Sequence, residues 1–309
     1  MNIWEQQARN RRNTVLLVLL FLAVAAAVGY GADYLFFDGQ ALLLTPLAAT
    51  IAIVQALVGY FTGDKIALAL SRAYPVTGRT FAERQLINVT EEMAIAAGIP
   101  MPKLYIVPDP DPNAFATGLS PRHASVAVTE GLLQRLTRDE LQAVVAHEIG
   151  HIRNYDIRLM TMVAILLGTV LVLSDFVRRA LFYGVNRRRR DEGGAVLLVL
   201  WLVLAILAPI AAYLIAMAVS RQREYYADAT SAELTRNPEA LIRALQKIAA
   251  AVAPTTTIPQ SLAHMCIEDP RGRAINERTG FWSELFATHP PLHKRIEALR
   301  KMAYLSVAS

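Results

Sequence analysis

The chain has 309 residues, 54% of them hydrophobic and 18% charged, with a positive mean hydropathy; that is too apolar for an ordinary soluble protein and points to a membrane. The formal charge of +5 comes largely from arginines beside apolar segments, where cytoplasmic retention and anionic headgroups account for it, and no aromatic-and-basic pattern marks a nucleic-acid surface. A single cysteine, Cys266, excludes an intrachain disulfide scaffold and a Cys-only zinc cluster, and reads as a packed core thiol.

Four apolar segments stand out: roughly Thr14 to Gly31, Ala41 to Phe61, Leu159 to Val177 and Ala195 to Val219. Each approaches or exceeds the ~20 residues that cross ~30 Å of hydrocarbon as helix. Arg9, Arg11 and Arg12 precede the first, while the link to the second carries Asp33 and Asp38 and no Lys or Arg. The positive-inside rule then puts the N-terminus and the chain after Phe61 in the cytoplasm. Arg178, Arg179 and the run Arg187 to Arg190 disturb this picture, because they fall outside the cell if segments three and four both cross. Either those helices lie partly in the bilayer or against the soluble domain, or the needs of the catalytic side override the charge rule. Both readings make a hairpin that returns the chain to the side it left.

Between segments two and three the pattern is mixed. Thr80 to Ala97 has helical periodicity and stops at Gly98 and Pro100. "KLYIVPD" and "HASVAVTE" read as short strands enclosing "NAFATGLSPR". Thr137 and Glu140 form a capping-box pair that opens a helix carrying "LQAVVAHEIGHIRNYD", expected to run on towards the third apolar segment. Beyond Val219 the chain is helical to about Arg236, restarts at "NPEALIRALQKIAAAV" with Asn237 as cap and Pro238 at the first helical position, and ends in a helix from Pro291 to Met302 after "THPP".

His147 and His151 lie at i and i+4 on one helix face, where two imidazoles converge on one ion. Glu148, rotated to the neighbouring edge, is placed to act as general base on the attacking water without binding the metal. A third ligand is required. A histidine six residues past His151 is absent, since Ile157 stands there, and Asp156 and Asp175 are the only acids before the charged loop. What remains is "SRQREYYADATSAEL", on the helix that re-emerges after the apolar hairpin. There Glu224 and Asp228 stand at i and i+4, so that Glu224 can bind the metal while Asp228 points at a ligand histidine, against the alternative of a solvated acidic face. An oxyanion needs a further donor; His289 in "THPP" is the candidate, as donor or as a fourth ligand blocking the resting site, with His293 as the runner-up, and a polar residue at a helix N-terminus is the alternative for either. Asn113, Ala114, Phe115, Ala116 and Thr117 suit an exposed edge strand onto which a peptide adds, against the alternative of a plain buried hairpin strand.

"HEIGH", "EYYAD", "NAFATG" and "THPP", in this order and with four apolar segments, resemble the HtpX family of membrane zinc metalloproteases, relatives of the eukaryotic prenyl-protein protease. The resemblance implies an α-helical integral membrane protein with a zincin-like, mainly α catalytic domain carrying a small β-sheet. It implies His147, His151 and Glu224 as ligands of one Zn2+, Glu148 as acid/base and Asp228 in support. The expected division is an N-terminal transmembrane hairpin over 1–62, a first catalytic part over 63–158, a second apolar hairpin over 159–219, and a second catalytic part over 220–309. The expected enzyme sits in the bacterial inner membrane with its site facing the cytoplasm and cuts misfolded or damaged membrane proteins; whether it oligomerises is left open. An intramembrane protease, a prenyl-protein protease and a non-catalytic membrane adaptor are the rival readings. The charged residues around the motif, Arg138 to Glu140 and Arg153 to Asp156, argue against burial of the site within the bilayer, and Glu148 argues against the adaptor.

Overall fold

The computed structural model describes residues 3–37, 41–185, 221–251, 257–267 and 290–307. Two long helices come first, α1 (Ile3–Phe37) and α2 (Leu44–Leu70). Among the described residues, Ala8–Gly31 and Leu44–Leu70 are each long and apolar enough to cross a membrane. Their outer faces expose Leu16, Leu19, Leu47, Ile51, Val54 and Phe61, a surface that suits lipid and not water. Asp33 of α1 accepts hydrogen bonds from the backbone N–H groups of Leu43, Leu44 and Thr45, so the start of the second helix is capped by the end of the first.

The sheet is built from β1 (Tyr74–Pro75), β2 (Lys103–Val107), β3 (Ala114–Gly118) and β4 (Ala124–Thr129), in the order β1-β2-β4-β3. Strands β2 and β4 run parallel, and the other two pairings are antiparallel. Alternation decides the packing: Leu104, Ile106, Ala114, Ala116, Val126 and Val128 all enter the main core. The parallel pair has the crossover it requires in β3 and its turns. Before the sheet, α3 (Phe81–Ala97) begins as the sequence predicts, with the Thr80 hydroxyl accepting from the Glu83 N–H, and it ends at Gly98 with φ 66°.

After β4 comes a short helix, α4 (Glu130–Arg135). Its Gly131 leaves no room for a side chain, since a Cβ there would stand 2.0 Å from the carbonyl oxygen of Pro110. Gly131→Ala is therefore expected to cost about 1–3 kcal/mol through forced backbone displacement. The loss reads as a lower thermal unfolding midpoint in detergent; an unchanged midpoint would show that the loop yields freely.

The central helix of the soluble part is α5 (Arg138–Arg153), opened by the predicted capping box, in which Glu140 accepts from the Thr137 N–H at 2.8 Å. It does not run on into the third apolar segment. The chain turns by 86° into α6 (Asp156–Val185). Tyr155, at φ 60°, ends the helix in a left-handed conformation, and its ring is flanked by the guanidinium groups of Arg11 and Arg158.

The front of α6 is apolar because protein surrounds it. Leu159, Met162, Val163, Leu166 and Leu167 are buried with Leu17 of α1 in one cluster, and Met160 and Ala164 pack with Ala67 and Phe115 in another. A helix hydrophobic all round is a core helix or a span, and at least its first turns are core. Arg178 and Arg179, expected in the loop, lie on α6, which runs past the third apolar segment; the run Arg187 to Arg190 and the fourth apolar segment lie outside the described residues. The chain resumes with α7 (Arg221–Thr235) and α8 (Pro238–Ala249), the latter capped by Asn237, whose side chain accepts from the Ala240 N–H at 3.2 Å. A 3-10 helix, Gln260–Met265, follows, and α9 (Leu292–Val307) is the last element. Side chains from before residue 186 and after residue 220 share one core, with Val144, Ile149, Leu241, Leu245 and Leu299 among them.

Candidate active site

His147, Glu148 and His151 project from α5, and α7 packs against the same helix. Gly150, inside the motif, permits the approach: a Cβ there would meet Ala227 Cα at 3.2 Å and Thr230 Cβ at 3.1 Å. Glu224 is thereby brought over the histidines. One ligand atom from each of His147, His151 and Glu224 lies within 4.8 Å of the others, and all three residues are buried. The two Nε2 atoms are 3.2 Å apart, with Glu224 Oε2 3.8 Å from the first and Oε1 3.6 Å from the second.

The far nitrogen of each imidazole is engaged by a carboxylate. Asp228 Oδ1 stands 3.0 Å from His147 Nδ1, and Asp156 Oδ2 stands 3.1 Å from His151 Nδ1. If each Nδ1 carries the proton it donates, both Nε2 atoms present lone pairs to one another and to a carboxylate. Such a group repels itself unless a proton or a cation sits among the three. Two imidazole nitrogens and one carboxylate oxygen are the donor set of a catalytic zinc site, and the residues present fit that ion.

Electrostatics in the protein alone point the same way. Burial pulls the His151 pKa down, but the Asp156 hydrogen bond and the carboxylates of Glu224, Asp156 and Glu148 outweigh it and push the value up to about 9. Burial holds His147 below its usual range despite Asp228. Burial also works against an ionised Asp228, but Arg295 and His147 outweigh it and hold its carboxyl low. His151, raised, is protonated below about pH 9, and a metal must displace that proton. Zinc affinity is therefore expected to fall about tenfold per pH unit as pH drops through the neutral range. Titration with a zinc-competing dye at several pH values measures it; a flat profile would place the proton elsewhere.

Two residues in this arrangement carry no assigned role in the sequence reading. Asp156, five residues past His151, orients that histidine and accepts from Asn10 Nδ2 of α1 at 2.6 Å, while Asn10 also donates to the Asn154 carbonyl at 3.2 Å. Arg295 of α9 grips Asp228 with both ends of its fork, Nε to Oδ2 at 2.9 Å and Nη2 to Oδ1 at 2.6 Å. It is 2% exposed, and its Nη1 is 3.7 Å from Glu224 Oε2. A signal was present for it. Leu292, Arg295, Ile296 and Leu299 fall at helical spacing on the inward stripe of α9, and a guanidinium on an apolar stripe needs a buried partner.

Glu148 is 1% exposed and lies near enough to His151 for its carboxylate to raise that histidine's pKa. His289 lies outside the described residues. His293 is exposed on α9 beside Glu297, off the stripe that carries Arg295. Strand β3 stands at the end of the sheet order, and Asn113 to Thr117 are all buried. Its outer side meets the chain again: Phe115 forms an antiparallel bridge with Cys266, and the Ile267 N–H donates to the Ala114 carbonyl at 2.9 Å.

A sequence model of Peptidase family M48 matches residues 81–303. A Protease HtpX homolog of Caldanaerobacter subterraneus subsp. tengcongensis is 43% identical over 304 residues, covering 97% of this chain and 98% of that protein. The homolog of Streptococcus uberis is 39% identical over 305 residues, covering 97% and 100%, and that of Tropheryma whipplei strain Twist is 43% identical over 295, covering 96% and 97%. The crystal structure of S. mikatae Ste24p superposes with a TM-score of 0.50 at 19% identity, over 96% of this chain, which spans 66% of that one; the likeness concerns the fold. With a family match across both halves of the catalytic core and near full-length relatives at this identity, the chain belongs to the HtpX family of M48 metallopeptidases.

Proposed function

We propose that this protein is a membrane-anchored zinc endopeptidase that cuts misfolded or damaged membrane proteins at their cytoplasmic segments. The observation that carries the reading is the buried convergence of His147, His151 and Glu224 beside Glu148, in a domain joined to two apolar helices. Zinc in such a site supplies Lewis acidity towards a carbonyl and a nucleophile at neutral pH. Glu148 takes the proton from the attacking water and delivers it to the leaving amine. Asp228 and Asp156 hold the two imidazoles in the tautomer that offers Nε2 inward. His289 remains the proposed donor to the developing oxyanion or a resting ligand. A polypeptide substrate adds to the outer side of β3 through its backbone, which makes recognition largely independent of sequence and suits a quality-control enzyme.

Arg9, Arg11 and Arg12 before the first span support a cytoplasmic face for this site, in the inner membrane of a bacterium. The test is metal dependence of cleavage. Purified in detergent, the protein is expected to degrade unfolded casein, to stop when a chelator removes zinc, and to resume when zinc is restored. Fully zinc-loaded protein that leaves casein and every other unfolded polypeptide intact would defeat the reading.

A further inference from the structure

The outer side of β3, where the proposed function seats a substrate, is already paired with the protein's own chain. Cys266 lies opposite Phe115 as an antiparallel partner, and the Ile267 N–H donates to the Ala114 carbonyl at 2.9 Å. The Ile267 carbonyl turns the other way and accepts from Arg295 Nη1 at 3.0 Å. That same nitrogen is 3.7 Å from Glu224 Oε2, so the carbonyl of Ile267 sits beside the metal cluster. Side chains alternate as in a bound strand: Cys266 enters the cluster around Phe115 and Met160, and Ile267 enters the main core.

We infer that Cys266–Ile267 is a resting occupant of the substrate-backbone site, an internal strand that an incoming polypeptide must displace. The inference rests on the peptidase reading above and adds regulation to the same site. A peptide in its place inherits two contacts, an N–H to the Ala114 carbonyl and a carbonyl to Arg295 Nη1. It exchanges main-chain hydrogen bonds for equivalent ones, which leaves little net difference between the occupants. The apolar pockets emptied by Cys266 and Ile267 are then refilled by alternate substrate side chains. Unfolded chains with exposed apolar residues meet that demand; folded ones do not. The occupant therefore acts as a filter as well as a plug.

Cys266 reports on displacement without any change to the segment, since it is the one cysteine in the chain and is 1% exposed. The full-length Glu148→Gln protein, zinc-loaded and in detergent, is treated with a maleimide with and without cysteine-free unfolded casein. Labelling of Cys266 is expected to accelerate and to saturate with casein. A rate unchanged at casein concentrations above the wild-type KM would overturn the inference. In a second arm, Phe115→Cys places a thiol directly opposite Cys266, at a spacing a disulfide can close. Oxidation is expected to abolish cleavage and reduction to restore it, with zinc content equal in both forms. Undiminished cleavage by the oxidised, cross-linked protein would also overturn it. Where Phe115→Cys fails to fold, the labelling result decides alone. Absence of casein cleavage by the wild type would remove the peptidase reading itself, whereas cleavage without accelerated labelling removes only this inference.

Discussion

Glu148→Gln is expected to lower casein cleavage by about 10²–10⁴-fold, the usual worth of a positioned general base. Zinc content should not change. The amide has nearly the same size and shape as the carboxylate, and the substitution leaves the ligand atoms of His147, His151 and Glu224 within 4.8 Å of one another. What it removes is the ability to accept a proton from water and return it to the amine. Turnover of unfolded casein and metal analysis of the same preparation measure both halves. Cleavage at the wild-type rate with zinc bound would mean that the base is another group.

Arg295→Ala is expected to be the most damaging substitution for stability. Asp228 is fully buried and held by two hydrogen bonds from this one guanidinium, at 2.6 and 2.9 Å. Removing the arginine strands a carboxylate in the interior, at a cost of about 3–5 kcal/mol. It also loosens the support of His147, so zinc affinity should fall by about 10–100-fold. Arg295→Lys separates the two effects, because an ammonium replaces the charge but not the planar fork. It is expected to recover part of the unfolding temperature and less of the zinc affinity. If the alanine variant melts and binds zinc like the wild type, the Arg295–Asp228 pair has no part in holding the site.

Features encoded locally were the ones legible in the sequence. The stop at Gly98, the Thr137–Glu140 box and the Asn237 cap each satisfy helix-end groups within a few residues, so their signals need no tertiary knowledge. The His147 and His151 pair was legible for the same reason, since one helical turn suffices to bring them together. Glu224 required a longer step, the expectation that the third and fourth apolar segments return the chain to the side it left. Contacts between distant elements were not legible. Asn10 meets Asp156 across 146 positions, and Arg295 meets Asp228 across 67; the period of α9 marks Arg295 as inward, but no period or cap names the partner in either pair. The corner after α5 was missed because the apolar pattern of α6 continues that of a membrane span, and only the surrounding elements reveal that its first turns are core. Strand β1, at two residues, is too short to leave any pattern.

The contact between Asn10 and Asp156 ties the first apolar helix to the proposed site. Asn10 is 3% exposed at the base of α1, and it braces the carboxylate that aims His151. A soluble version that begins after α2 would keep every proposed ligand and the whole sheet, yet leave this carboxylate without its amide and uncover the cluster around Leu17 and Leu166. Solubilising the peptidase by truncation and preserving its alignment are thus opposing aims.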